Sequence, residues 1–151
     1  MKKVMLVEDE DFILQGIKYI IDWEALSMEI AATAHNGKEA LEIFQENPTD
    51  IVVTDVEMPR MNGLELLREI RKLNSRTRGI ILSGYDEFEY ARTALRLDVE
   101  EYILKPINED QLRDALIRAG KHLDELDRKK AGNMEDKNWM DSVSERKACQ
   151  R

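Results

Sequence analysis

A chain of 151 residues has room for one domain with a true hydrophobic core and little for a second. Charged residues make up 36% of it and the formal net charge is -8, so a bare nucleic-acid duplex or an anionic membrane surface is a poor partner for the chain as a whole. Residues 127–151 carry seven basic and five acidic side chains, a net of +2, which places the acidity in residues 1–126.

In chain order, Val4-Met5-Leu6-Val7 reads as a buried strand. That apolar run is too short for a secretory signal, and no stretch approaches the roughly 20 apolar residues of a membrane span. A helix follows from about Asp11 to Ile21, with Phe12, Ile13, Ile17, Ile20 and Ile21 at helical spacing, and Trp23 is expected to pack at its end. A second strand covers about Glu29 to Ala34, after which Asn36-Gly37 turns into a helix with Ala40, Leu41 and Phe44 inward. Ile51 to Thr54 is a third strand, and Leu64, Leu67, Ile70 and Leu73 mark the next helix. Gly79 to Leu82 is a fourth, followed by a helix from about Glu87 to Leu97 carrying Tyr90, Ala91, Ala94 and Leu95. Tyr102-Ile103-Leu104 is a fifth strand, and Pro106 leads into a last helix with Asn108 as its N-cap.

That last helix repeats Leu112, Leu116, Ala119, Leu123 and Leu126 at heptad spacing, but Lys130 takes the next position and argues against a long coiled-coil seam. Ala131-Gly132-Asn133 is expected to interrupt it, leaving 127–151 as a linker or loosely ordered tail beyond a 1–126 domain. The single cysteine, Cys149, allows no internal disulfide and fits a reducing compartment, so a cytoplasmic location is expected.

Five strand-helix units in a row, with continuous apolar strands, imply an α/β fold with a parallel sheet covered by helices on both faces, and for five strands the common doubly wound, flavodoxin-like order is 2-1-3-4-5. Ligands of such sheets bind beyond the C-terminal strand ends, between the first and third strands. The first strand runs into Glu8-Asp9, the third into Asp55, the fourth into Ser83 and the fifth into Lys105-Pro106. The second ends at Ala34-His35-Asn36-Gly37, outside that cluster.

Two carboxylates about 4 Å apart repel by roughly 4 kcal/mol at an effective dielectric of 20, so three ionised acids on one rim require compensation. Lys105 supplies part, and a raised pKa or a divalent cation supplies the rest. An all-oxygen ligand set without His or Cys favours Mg2+, with Mn2+ as the alternative. A carboxylate nucleophile in that setting can accept a phosphoryl group while the metal and ammonium neutralise its oxygens and a hydroxyl donates to one of them. Asp55, on the middle of the three strands, is the best placed.

Leu6-Val7-Glu8-Asp9-Glu10, the segment Val53 to Gly63, Leu82-Ser83-Gly84-Tyr85 and Tyr102-Ile103-Leu104-Lys105-Pro106 occur in order at strand ends. Over residues 2 to about 125 they resemble the receiver domain of two-component response regulators. The resemblance implies that Asp55 takes a phosphoryl group from a sensor histidine kinase, with Asp9 as a direct metal ligand. Glu8 would reach the metal through water, and the main-chain carbonyl of Glu57 would complete the protein ligands. It further implies that Ser83 and Tyr102 are the switch pair, that Lys105 pairs with the phosphoryl group, and that the Lys105-Pro106 bond is cis. Glu57 and Tyr85 would border the path of a hydrolytic water. The output would be the face of the fourth helix, fifth strand and fifth helix, available for homodimerisation or docking. The only chemistry implied is the domain's own phosphorylation and dephosphorylation.

Ser83 to Ala91, with Asp22-Trp23, resembles receivers that precede an AraC-type helix-turn-helix domain. After Lys130 too few residues remain to build one, so DNA would be reached only through a domain absent from this chain, as in a truncated regulator, and a stand-alone receiver stays open. Two other readings compete: a Mg2+-dependent phosphatase with an aspartyl-phosphate intermediate and Glu57 as its acid, and a receiver-like binding module that is not phosphorylated. Plainer roles exist for single residues. Taken alone, Asp55 reads as a strand-ending acid that caps the following loop, Glu8-Asp9 suit a helix N-terminus, Ser83 a turn, Tyr102 an ordinary strand and Lys105 a snorkelling position. His35 and His122 read as solvated.

Overall fold

The five apolar runs form strands β1 (Lys2–Val7), β2 (Met28–Ala34), β3 (Ile51–Asp55), β4 (Arg78–Ser83) and β5 (Glu101–Leu104). They are seen in a computed structural model that describes residues 1–84 and 88–144, with side chains, Phe88 apart, through residue 130. Helices α1 (Asp11–Ile20), α2 (Gly37–Glu46), α3 (Gly63–Leu73), α4 (Phe88–Arg96) and α5 (Glu109–Ser144) alternate with them, and a short 3-10 turn spans Glu24–Leu26. All strand pairs are parallel and the order is β2-β1-β3-β4-β5, as the sequence indicates. Every residue of β3 and β4 is buried, the mark of central strands covered on both faces, whereas β2 and β5 mix buried and open positions as edge strands do. The register sets Val7 beside Thr54, Asp55 beside Leu82 and Ser83 beside Leu104, so the residues ending four strands share one rim.

The helices' inward faces differ in part from the spacing argument. In α1 the buried residues are Leu14 and Ile17, continued by Ile21, while Phe12 and Tyr19 are 80% and 89% exposed. Phe12 lies two residues from Leu14, roughly 200° around the helix, and so points away from the stripe. Among the residues of α4 whose side chains are described, the buried one is Ala94, and Leu95, about 100° further round, is 81% exposed. Leu73, at the end of α3, is also exposed. Trp23 packs as expected: its indole N–H donates to the Lys18 carbonyl at 3.1 Å, and its own carbonyl accepts from the amides of Leu26 and Met28.

Asn-Gly pairs open both α2 and α3. Asn36 and Asn62 are the N-caps, accepting the amides of Glu39 and Glu65 at 2.8 and 2.9 Å, and Glu65 closes a capping box on the Asn62 amide. The glycines answer to close approach. A Cβ on Gly63 would stand 2.1 Å from the Asp55 carbonyl oxygen, and one on Gly37 would stand 2.3 Å from that of Met61. The Gly63 amide donates to Val56 and the Gly37 amide to Met61. Two helix starts thus clamp the loop that leaves Asp55, inside which Arg60 holds a left-handed φ of 74°.

α5 continues unbroken through Ala131-Gly132-Asn133 to Ser144, contrary to the expected interruption. One interior glycine costs about 1 kcal/mol relative to alanine, and the helix formers Lys129, Lys130, Ala131, Met134 and Glu135 on either side carry the helix through it. The chain divides into two compact units, Met1–Gly120 and Lys121–Arg151, where the sequence suggested a boundary after residue 126. Among the described residues no helix is long and apolar enough to cross a membrane.

Gly63→Ala is expected to cost about 3 kcal/mol or more of unfolding free energy, because the obstruction is backbone rather than a movable side chain. Gly16→Ala is the control: a Cβ there meets nothing within 4 Å, and the change should be neutral or stabilising by about 1 kcal/mol. Urea midpoints of the two variants decide the matter.

Candidate functional site

The rim assembles from strand ends. Glu8 follows β1 and is buried, its Oε2 accepting the Glu10 amide at 3.2 Å. Asp9, next along, is exposed. Asp55, the last residue of β3, is 5% exposed, and the buried hydroxyl of Thr54 donates to its carbonyl at 2.9 Å. Oxygen atoms from Glu8, Asp9 and Asp55 lie within 4.8 Å of one another. Lys105, just past β5, extends its Nζ to 3.0 Å from Glu8 Oε1 and 3.4 Å from Asp55 Oδ2. Its amide donates to the Ser83 carbonyl at 2.7 Å, and the Lys105-Pro106 bond is cis. Ser83 is wholly buried at the end of β4, one residue beyond Leu82, the strand partner of Asp55. Tyr102 is half-buried against the core.

The electrostatics follow from this crowding. Burial is the main force pushing the Glu8 carboxyl from 4.5 up to about 7, with the Lys105 contact opposing it and the Asp55 charge adding to it. Burial likewise raises Asp55, again opposed by Lys105 and assisted by Asp9. For Lys105, burial works against the charge, yet the contacts with Glu8 and Asp55 outweigh it and the ammonium is held above its ordinary value. One ammonium therefore faces three acids, and the remaining negative potential suits a hard cation. The donor set fits Mg2+ or Mn2+: all of it is oxygen, and exposed Asp9 leaves the cluster open to solvent.

Several contacts were not foreseen. The nearest partner of Lys105 is Glu8 rather than Asp55. Glu57, exposed at the start of the loop, accepts a hydrogen bond from the Tyr90 hydroxyl of α4, 33 positions away, a contact that the sequence motifs do not indicate. His35 is bonded rather than merely solvated: its Nε2 is 2.8 Å from Asp11 Oδ1, and this contact raises its pKa. Tyr85, expected beside the water path, lies outside the described residues.

Comparison with known proteins bears on the fold that carries this site. The profile of the family described as Response regulator receiver domain matches residues 4–117. Among curated proteins, the chain is 43% identical over 116 residues to the uncharacterized transcriptional regulatory protein YesN of Bacillus subtilis, covering 77% of this chain and 32% of the relative. It is 41% identical over 118 residues to the transcriptional regulatory protein HptR of Staphylococcus aureus, covering 78% and 46%. The chain thus spans less than half the length of either. Among solved structures, it resembles the receiver domain of AraT, a response regulator from Geobacillus stearothermophilus, with a TM-score of 0.74 and 37% identity over 85% of this chain and 98% of that one. A two-component transcriptional regulator AraC from Clostridium phytofermentans gives a TM-score of 0.76 and 33% identity, covering 82% and 95%.

The raised Glu8 carboxyl has a consequence for metal-free protein. Below about pH 4.5 the group is protonated folded and unfolded alike; between there and about 7 only the folded state keeps the proton, so stability falls as pH rises and the loss is complete above 7. Urea titrations across this range should show that Glu8→Gln flattens the decline, and that adding Mg2+ stabilises the native protein more at pH 8 than at pH 5.

Proposed function

The chain belongs to the response regulator receiver domain family, and from that premise we propose that Asp55 is its phosphoacceptor, charged by a sensor histidine kinase in the cytoplasm. The observation that carries this reading is the convergence of Glu8, Asp9, Asp55 and Lys105 on one rim, at the ends of β1, β3 and β5. In the transfer, an Asp55 oxygen bonds to phosphorus as the bond from phosphorus to the kinase histidine breaks, and that histidine keeps the electron pair. Asp9, Asp55 and the Glu57 carbonyl would hold Mg2+, with Glu8 reaching it through water; the cation would neutralise charge on the phosphoryl oxygens. Lys105 is a mobile counter-charge: with Glu8 and Asp55 as its present partners, it needs only a side-chain rotation to meet a phosphoryl oxygen.

Ser83 and Tyr102 then form the switch. A phosphoryl group on Asp55 draws the buried Ser83 hydroxyl toward it, and half-buried Tyr102 takes up the space released. A coupling of about 1–3 kcal/mol is enough to shift the population of such a two-state element. The output is the α4-β5-α5 face, where Leu95 and Leu104 stand exposed as apolar contacts for a second copy or a docking partner. In a longer chain of the kind its relatives represent, that output would be control of transcription.

Incubation with a small phosphoryl donor and Mg2+ should add the mass of one phosphoryl group to the native protein and none to Asp55→Asn. Beryllofluoride with Mg2+ should change the spectrum of the native protein alone. Absence of label on native protein that demonstrably binds Mg2+ would point to a non-phosphorylated module, and steady turnover of a phosphomonoester lost in Asp55→Asn to a phosphatase.

A further inference from the structure

The Tyr90 hydroxyl donates to the Glu57 carboxylate, joining α4 to the loop that leaves Asp55. Glu57 stands two residues beyond Asp55 and is exposed, so its carboxylate has the reach to contact a water approaching a phosphoryl group on that aspartate. The loop backbone has little freedom, because Gly63 packs on the Asp55 carbonyl and Gly37 on that of Met61. With the backbone clamped, the placement of the Glu57 carboxylate rests on its own side-chain torsions and on what binds its oxygens. Tyr90 binds one of them, and its ring is itself seated against the core, so the tether has a firm anchor.

We infer that Tyr90 is a positioning residue for Glu57: it holds that carboxylate toward α4 and away from the line of water attack, and so prolongs the life of the phosphoryl group on Asp55. This rests on Asp55 being the phosphoacceptor. In the hydrolysis concerned, a water oxygen bonds to phosphorus and the bond from phosphorus to the Asp55 oxygen breaks. The electron pair returns to the Asp55 carboxylate, the water's proton passes to solvent, and inorganic phosphate leaves. A released Glu57 accepts a hydrogen bond from that water and orients it. A held Glu57 does not. Since α4 carries the tether, a partner seated on α4 gains leverage over how long the signal lasts.

The test is a double-mutant cycle on the full chain, with Tyr90→Phe, Glu57→Ala and the pair, each charged with a small phosphoryl donor and Mg2+ and followed by intact mass after the donor is removed. Tyr90→Phe should shorten the phosphoryl lifetime about fivefold, the rate equivalent of one net hydrogen bond. In the Glu57→Ala background the same change should leave the lifetime within about twofold. A metal-independent readout accompanies it: in protein carrying 13C at the tyrosine ring carbon bonded to oxygen, Glu57→Ala should shift the signal that Tyr90→Phe deletes. An unchanged lifetime in Tyr90→Phe, a shortening that persists in the Glu57→Ala background, or an unmoved carbon signal would overturn the inference while leaving Asp55 as acceptor. Failure of the native protein to take up phosphate at all would instead overturn the reading beneath it.

Discussion

The ammonium of Lys105 between Glu8 and Asp55 is the interaction on which the rim depends. Three carboxylates whose oxygens approach within 4.8 Å, two of them buried, are not stable as bare anions, and a single positive charge reaches the two buried ones. The result is a site with a deliberate deficit of positive charge. A divalent cation would satisfy that deficit directly, and under the proposed function a phosphoryl group would give the ammonium a partner with more charge than either acid. The opposite end of the sheet shows the contrast. There, Arg78 is buried with Glu100 at 3.2 Å and the Asp98 carbonyl at 3.1 Å, a closed arrangement with donors and acceptors matched. One end of the sheet has its charges settled, and the other is left open to a ligand.

The sheet supplies the geometry for that opening. Parallel pairing with Asp55 beside Leu82 and Ser83 beside Leu104 brings four chain segments to one edge, and the two helix-opening glycines hold the exit from β3 against the body of the domain. The side chains over the site are thereby separated into two groups. Those on strand ends are fixed by backbone pairing. The Glu57 carboxylate, on the loop, is instead held by a side-chain contact from Tyr90 of α4.

The order of the strands and the members of the rim were legible in the sequence because both are written in short range: apolar runs of strand length, and a chemically distinctive residue at the end of each. What was not legible depended on rotation or on distance. Phe12 and Leu95 fit an apolar stripe by spacing, yet both face outward, while Ala94 is buried as the spacing indicates and Leu14, outside the expected stripe, is buried as well. The continuation of α5 through Gly132 reflects a balance of about 1 kcal/mol that local composition tips, and a motif does not record it. Contacts such as Tyr90 with Glu57 or Arg78 with Glu100 join residues far apart in the chain, and nothing in either neighbourhood names the other.

That same separation gives the site a history. Glu8 and its counter-ion Lys105 are 97 positions apart, with four strands, β2 to β5, between them in the chain. During synthesis the acids emerge first and remain hydrated, at no electrostatic cost, until the final strand docks and delivers its ammonium. Closure of the sheet and desolvation of the acids are consequently one event. A nascent or prematurely ended chain that stops before β5 has Asp55 and Glu8 but not the ammonium that offsets their charge, so the rim is complete only when the last strand is in place.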